Sequence, residues 1–313
     1  MEAEPCFASP SMWLTSSKWR WWSSETVAVV TGGNRGIGFA IVKRLAQLGL
    51  TVILTARDTQ KGEAALNTLR DQYGLNVHFL PLDVSDPSSI NTFASSFKAR
   101  YGPTLDILVN NAGVSFNDLH NNSVEHAETV IKTNFYGPKL LTQALLPVFR
   151  ALNTDSSQSS PTRILNISSR LGSLKKMRNS EIREVLESEN VSEEEIDETV
   201  NMFLEDVKMG RWKNRGWPEY WTDYAVSKLA LNAYSKVLGK RYDQLKREED
   251  HQHGLLRVIC FCPGFTQTSM TQGKGTHSAD DAATFAAALV LLPPQYLPTT
   301  VKFFYLPSIT SKL

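Results

Sequence analysis

Two residues spaced for proton transfer stand in the run Thr222-Asp-Tyr-Ala-Val-Ser-Lys228: the phenol of Tyr224 and the ammonium of Lys228. On a helix a spacing of four places both on one face. A free phenol titrates near pKa ~10, so a tyrosine that exchanges protons near neutral pH needs its anion favoured by roughly 4 kcal/mol. One fixed positive charge about 4 Å away supplies on the order of 4 kcal/mol at an effective dielectric of about 20, so a single lysine suffices in this estimate. Tyr-x-x-x-Lys is also common on ordinary amphipathic helices, and the reading depends on what surrounds it.

The elements that must position this pair are legible as a rhythm. Apolar, β-branched runs at 26–31, 51–55, 76–82, 105–110, 162–167, 256–261 and 302–306 read as strands. Helical patterns fit between them near 36–48, 60–73, 86–101, 127–150, 223–246 and 278–291. The alternation predicts an α/β fold, a Rossmann-type, doubly wound parallel sheet of about seven strands with right-handed crossovers. The expected organisation is an N-terminal arm over residues 1–24, then one domain over 25–313 with a helical insertion at 174–223. In the insertion, Ser192 and Glu195 form a capping box, and Ile196, Val200, Phe203, Leu204 and Val207 fall on one helical face. A shorter helix is expected near 181–188. The arm is Ser-rich and carries Trp13, Trp19, Trp21 and Trp22, which suits a segment packed on the body or partly disordered.

Directly after the first strand comes Thr31-Gly-Gly-Asn-Arg-Gly-Ile-Gly38, followed by an amphipathic helix. Gly32, Gly36 and Gly38 allow a tight turn and close approach to a pyrophosphate, held by the amides and dipole of the helix start, with Asn34, Arg35 and Ile37 on the same turn. Arg57 at the end of the second strand, with Arg35, suits a ribose 2′-phosphate; Asp58 lies one residue further on and reads as the start of the next helix. The cofactor expected from these residues is NADP(H).

With a net charge of +1, no basic stripe is available for a nucleic acid partner. Three cysteines, Cys6, Cys260 and Cys262, form neither a disulfide framework nor a Cys-x-x-Cys metal site. The longest apolar runs are too short to span a membrane, and the first 24 residues show no secretory signal, so a cytoplasmic protein is expected.

In this order, Thr31-Gly-x-x-x-Gly-x-Gly38, Asp83, Asn110-Asn-Ala-Gly113, Asn134, Ser169, Tyr224-x-x-x-Lys228 and Pro263-Gly264 with Thr268 resemble the motifs of the short-chain dehydrogenase/reductase family. The resemblance runs from about residue 26 to 306. It implies that Asp83, with Val84, meets the adenine, and that Asn110, Ala112 and Gly113 line the cofactor cleft. It implies also that Pro263, Gly264, Phe265 and Thr268 hold the nicotinamide side, and that Tyr224 and Lys228 touch both cofactor and chemistry. The backbone of Asn134 would hold a water against Lys228, with Pro138 as a departure that could kink this helix. Of the adjacent serines Ser168 and Ser169, the match favours Ser169 as the group that polarises the substrate carbonyl. The long stretch before Tyr224 resembles that of the large, often monomeric members, the animal carbonyl reductases and the plant salutaridine and menthone reductases. A monomer acting on a small carbonyl or alcohol, such as an apolar cyclic plant metabolite, is therefore expected. Trp212 and Trp217 could serve as structural cover or roof the substrate pocket. Two other readings stay open: reduction of an enone double bond, and a cofactor-binding scaffold without catalysis.

Overall fold

The computed structural model describes residues 14, 16–116, 122–152, 162–248, 256–296 and 301–306. Trp13 and Cys6, named above, lie outside them. Seven strands form one sheet: β1 (Val27–Val30), β2 (Thr51–Ala56), β3 (His78–Pro81), β4 (Leu105–Asn110), β5 (Thr162–Ile167), β6 (Leu256–Cys262) and β7 (Lys302–Tyr305). Their order is β3-β2-β1-β4-β5-β6-β7 and every pair is parallel. The chain leaves β1 for one edge and returns at β4 for the other, so a crevice opens between the carboxyl ends of β1 and β4.

Alternation along the strands feeds two separate cores. Val29, Ile53, Leu108, Ile164 and Val258 pack on one face, while Val30, Leu54, Val109, Leu165 and Ile259 pack on the other. The first face is covered by α3 (Pro87–Tyr101), α4 (Val124–Ile131), α5 (Gly137–Leu145) and α8 (Thr222–Glu248). The second is covered by α1 (Gly36–Gln47), α2 (Thr59–Tyr73) and α9 (Ala279–Val290). Burial on both faces explains why the central strands are apolar without interruption.

The helix expected over 127–150 is not continuous. A π-helical turn, Lys132–Tyr136, separates α4 from α5, and short 3-10 turns follow from Leu146. Gly137 donates to Lys132 O, five residues back. Pro138 supplies the reason: it has no N–H for the carbonyl of Asn134, four residues earlier, and the extra residue absorbs the mismatch.

In the insertion, α6 (Ser180–Glu187) is capped by Asn179, and α7 (Glu193–Lys208) by the reciprocal Ser192–Glu195 box. Ile196, Val200, Phe203 and Val207 are buried as their spacing required, whereas Leu204 is only partly covered. Both tryptophans of the following segment are interior rather than open to a cleft. Trp217 is buried, sits edge-on to Phe203 and donates its indole N–H to Asp206 at 2.8 Å. Trp212 is buried in the same core. The Asp206 carboxylate is fully buried and also accepts from Arg211 at 2.6 Å and from Arg215 at 3.4 Å. Burial pushes its pKa up, but the Trp217 indole and the two guanidinium groups outweigh that and hold it below the usual carboxylate value.

From Ser16 the arm lies against the body. Trp22 is buried and donates to Leu48 O at 3.1 Å, and Trp21 donates to Leu291 O at 2.9 Å. The Trp21 ring covers the wholly buried Arg163, with the guanidinium carbon 3.6 Å from the ring centroid. Here cation–π contact compensates part of the cost of dehydrating a charge.

Because the buried Asp206 carboxylate accepts from Trp217, Arg211 and Arg215 and so ties the last turn of α7 to the segment entering α8, Asp206→Ala should destabilise the protein by about 3 kcal/mol. Urea denaturation checks this, and an unchanged midpoint would contradict it.

Candidate active site

Every group expected to do chemistry stands at the carboxyl edge of the sheet, on a strand end or on a helix packed against one. Lys228 comes from α8 and is only 4% exposed. Its ammonium donates to Ile167 O, at the end of β5, at 2.8 Å. Burial lowers its pKa from 10.5 to about 8, with the Cys262 and Cys260 thiols acting weakly the other way.

Tyr224 lies one turn earlier on α8, with the lysine nitrogen 5.6 Å from its ring centroid. Its phenol is raised above the ordinary value, by burial first and by Cys262 second, while a hydrogen bond with the Ser169 side chain acts in the lowering direction. The lowering estimated from spacing alone is therefore absent in the protein by itself. That estimate counted the lysine's attraction and omitted the dehydration of both groups, which here is the larger effect. Tyr224 in this state is a proton donor held in its neutral form.

The two adjacent serines have different jobs. Ser168 is buried, and its hydroxyl donates to Asn232 Oδ1 on α8 at 2.6 Å, which fixes β5 to the helix. Ser169 caps a 3-10 turn, Arg170–Gly172, accepting from Leu171 N–H at 3.1 Å, and its side chain reaches Tyr224. Gly172 makes this approach possible: a Cβ there would stand 2.5 Å from the backbone carbon of Lys228.

Asn134 is fully buried on the π-helical turn, and its side chain is spent on structure. It donates to Val114 O at 2.9 Å and Ser227 Oγ at 3.1 Å, and accepts from Val114 N–H at 2.8 Å. Gly113 lies between it and the lysine: a Cβ there would be 3.2 Å from Asn134 Oδ1 and 3.8 Å from Lys228 Nζ. Pro138 thus leaves the Asn134 backbone carbonyl without a donor from the residue four positions later.

The turn after β1 is built for close approach. Gly32 and Gly36 have φ of 63° and 55°, and a Cβ on Gly38 would lie 2.3 Å from Gly32 O. Asn111 holds this turn to β4, donating to Thr31 O at 2.8 Å, while Thr31 Oγ1 accepts from Asn111 and Ala112 N–H at 2.9 Å. Asn111 was not singled out from the sequence, although it stands inside the Asn110–Gly113 motif. Asn110 itself donates to Asn166 on β5 at 2.8 Å, and its Oδ1 is buried with no partner among the described residues. Asn34 and Ile37 lie on the turn and at the start of α1. Arg35 at the start of α1 and Arg57 at the end of β2 are exposed, and neither forms an ion pair among the described residues. Asp58 caps α2 through Lys61 N–H at 3.0 Å, so it is occupied elsewhere.

Asp83 accepts from the Ser85 hydroxyl at 2.6 Å, and the backbone of neighbouring Val84 closes on Gly137, the first residue of α5. After β6, Gly264 turns with φ of 70°, Phe265 is 54% exposed, and Thr268 approaches Gly36. Two features carried no signal in the sequence. Cys262 lies close enough to influence Tyr224 and Lys228, and Trp221, three residues before Tyr224, adopts φ of 48°.

A glycine cradle, two arginines without an ion pair among the described residues and an adjacent tyrosine–lysine pair thus meet at the carboxyl edge of the sheet. Comparison with known proteins gives the family. Residues 26–181 match the family model described as short chain dehydrogenase. The (+)-neomenthol dehydrogenase of Arabidopsis thaliana is 36% identical over 87% of this chain and 93% of its own length. The protein belongs to the short-chain dehydrogenase/reductase family. Carbonyl reductase [NADPH] 1 of Mus musculus is 35% identical, again over 87% of this chain and 93% of its own. Among solved structures, salutaridine reductase from Papaver somniferum superposes with a TM-score of 0.75 at 34% identity, covering 90% of this chain and 99% of that one. This short-chain dehydrogenase/reductase is an oxidoreductase, and among the described residues no helix is long and apolar enough to cross a membrane.

The buried lysine has a stability consequence with a definite sign. Its pKa is lower in the folded than in the unfolded chain, so between about pH 8 and 10.5 the unfolded state binds more protons and stability rises with pH. Below that window the full cost, about 3 kcal/mol, is present. Lys228→Met removes it and forfeits the bond to Ile167 O, worth about 1 kcal/mol. The variant should be more stable at pH 7 by about 2 kcal/mol, with the advantage shrinking towards pH 10. Urea midpoints at the two pH values check this, and a destabilised variant at pH 7 would contradict it.

Proposed function

We propose that this protein is an NADP(H)-dependent reductase of ketones and aldehydes, running in reverse on secondary alcohols, with an apolar cyclic metabolite as substrate. The observation that carries the reading is the convergence of Ser169, Tyr224 and Lys228 at one strand end, beside the glycine turn. The NADPH named in the mouse relative and the unpaired Arg35 and Arg57 support the choice of cofactor, and Asp58, the one nearby carboxylate, is engaged by Lys61. Exposed Tyr220, Phe265 and Tyr305 at the same sheet edge support an apolar substrate.

When bound, the cofactor supplies the hydride. Gly32, Asn34, Gly36, Ile37 and Gly38 would hold its pyrophosphate, Arg35 and Arg57 its 2′-phosphate, and Asp83 with Val84 its adenine. Ala112, Gly113, Pro263, Gly264, Phe265 and Thr268 would enclose the nicotinamide half, with Asn110 bracing the cleft through Asn166. Ser169 donates to the substrate carbonyl oxygen and Tyr224 delivers its proton to the same atom. Lys228 would hold the nicotinamide ribose, and the backbone of Asn134 would hold a water that links the lysine to solvent. An intact Tyr224 favours carbonyl over double-bond reduction, and a complete catalytic set favours an enzyme over a scaffold. The protein acts as a cytoplasmic monomer in this reading; α7 covers the outer face of α4 and α8 and is tied to α5 by ion pairs. There Lys139 meets Asp197 at 2.8 Å and Arg241 meets Glu193 at 2.9 Å.

The test is an NADPH-consumption screen over ketones, aldehydes and quinones with products identified, run beside cofactor titrations. Secondary alcohols should appear, NADPH should bind more tightly than NADH, and Tyr224→Phe should lose about 10²–10⁴ in kcat while retaining NADPH affinity. Turnover retained by Tyr224→Phe, or tighter NADH binding, would overturn the reading.

A further inference from the structure

Arg170 follows Ser169 directly, and its position is fixed with unusual completeness for an exposed arginine. Its own N–H donates to Cys262 Sγ, at the end of β6, at 3.4 Å. The turn that carries it is closed by Gly172 N–H bonding Ser169 O at 3.1 Å, and it is fastened to α8 by Asn232, which donates to Gly172 O at 3.1 Å. Ser169, Arg170 and Lys228 therefore belong to one rigid unit.

The side chain reaches across to β7. Its guanidinium carbon stands 6.0 Å from the ring of Tyr305, which pairs in register with Cys262 and is 56% exposed. Several arginines of this chain meet carboxylates, among them Arg150 with Asp106, Arg211 with Asp206, Arg241 with Glu193 and Arg257 with Asp243. Arg170, like Arg35 and Arg57, meets none among the described residues. The two residues shown to meet it, Cys262 and Tyr305, carry no carboxylate. A planar cation on a fixed turn, backed by an aromatic ring and next to the residue that polarises the carbonyl, is suited to bidentate recognition of a carboxylate.

We propose that Arg170 selects substrates bearing a carboxylate about one aromatic ring away from the reacting carbonyl, so that the preferred substrate is a keto acid with an apolar body. This rests on the reductase reading and narrows its substrate class. Neutral ketones occupy the same aromatic mouth without the charge-assisted bonds.

The test uses 4-acetylbenzoate and its methyl ester as probes on the NADPH-loaded enzyme, with dissociation constants from calorimetry and turnover measured in parallel. The acid should bind at least about tenfold more tightly than the ester, and the ratio should fall as ionic strength rises. Arg170→Leu should bring the two constants within about twofold of each other, and Arg170→Lys should keep part of the preference. An acid that binds no more tightly than the ester, including no detectable binding of either, overturns the proposal, as does a preference unchanged in Arg170→Leu. An Arg170-dependent preference without reduction of either probe would support the binding site and count against the reductase reading instead.

Discussion

The burial of one ammonium group is the constraint on which the site depends. Among the described residues Lys228 donates to one acceptor, Ile167 O, at the last residue of β5. The ladder on its other side continues through Ser168, whose N–H reaches Phe261 O at 2.7 Å, so strands β5 and β6 fix where the lysine can point. Gly172 lets the Ser169 turn touch the helix backbone at the lysine, and Gly113 lets the β4 end approach its nitrogen. A side chain at Gly172 would push the Ser169 turn away from α8.

The same arrangement leaves the protein poised rather than complete. Dehydration holds Tyr224 in its neutral, proton-donating form and lowers the pKa of Lys228 to about 8, close to neutral pH. A site that stores such a cost gains from any partner that hydrogen-bonds the lysine, which is how binding energy becomes orientation and reactivity. The π-helical turn contributes at a distance: Pro138 has no N–H to close an α-turn there, and the wider turn carries the buried Asn134.

Much of this was legible in the chain. Alternating apolar runs located all seven strands, and ordered short motifs brought Tyr224, Lys228, Ser169 and the glycine turn to one sheet edge. Capping chemistry located α7, where Ser192 and Glu195 satisfy each other's backbone groups. What could not be read were effects decided by three-dimensional surroundings. Trp212 and Trp217 have the size and polarity of pocket residues, yet the buried Asp206 draws Trp217 inward, and nothing local announces a carboxylate eleven residues away. Continuous helical periodicity over 127–150 concealed the π-helical turn, since an inserted residue shifts the phase without removing the pattern. Spacing set Tyr224 and Lys228 on one face but said nothing of how dry that face is, so the sign of the tyrosine's shift was missed. Cys262 and Trp221 entered the site through approach and backbone conformation, which residue type alone does not encode.

The account stands or falls on the electrostatic state of Lys228. Nitrogen-detected NMR of protein labelled with ¹⁵N on lysine side chains follows its titration directly in the cofactor-free enzyme, with Lys228→Met used to assign the signal. A midpoint at about 8 is the predicted result. A midpoint near the ordinary lysine value of about 10.4 would contradict the buried, carbonyl-bound ammonium on which the arrangement of the site rests.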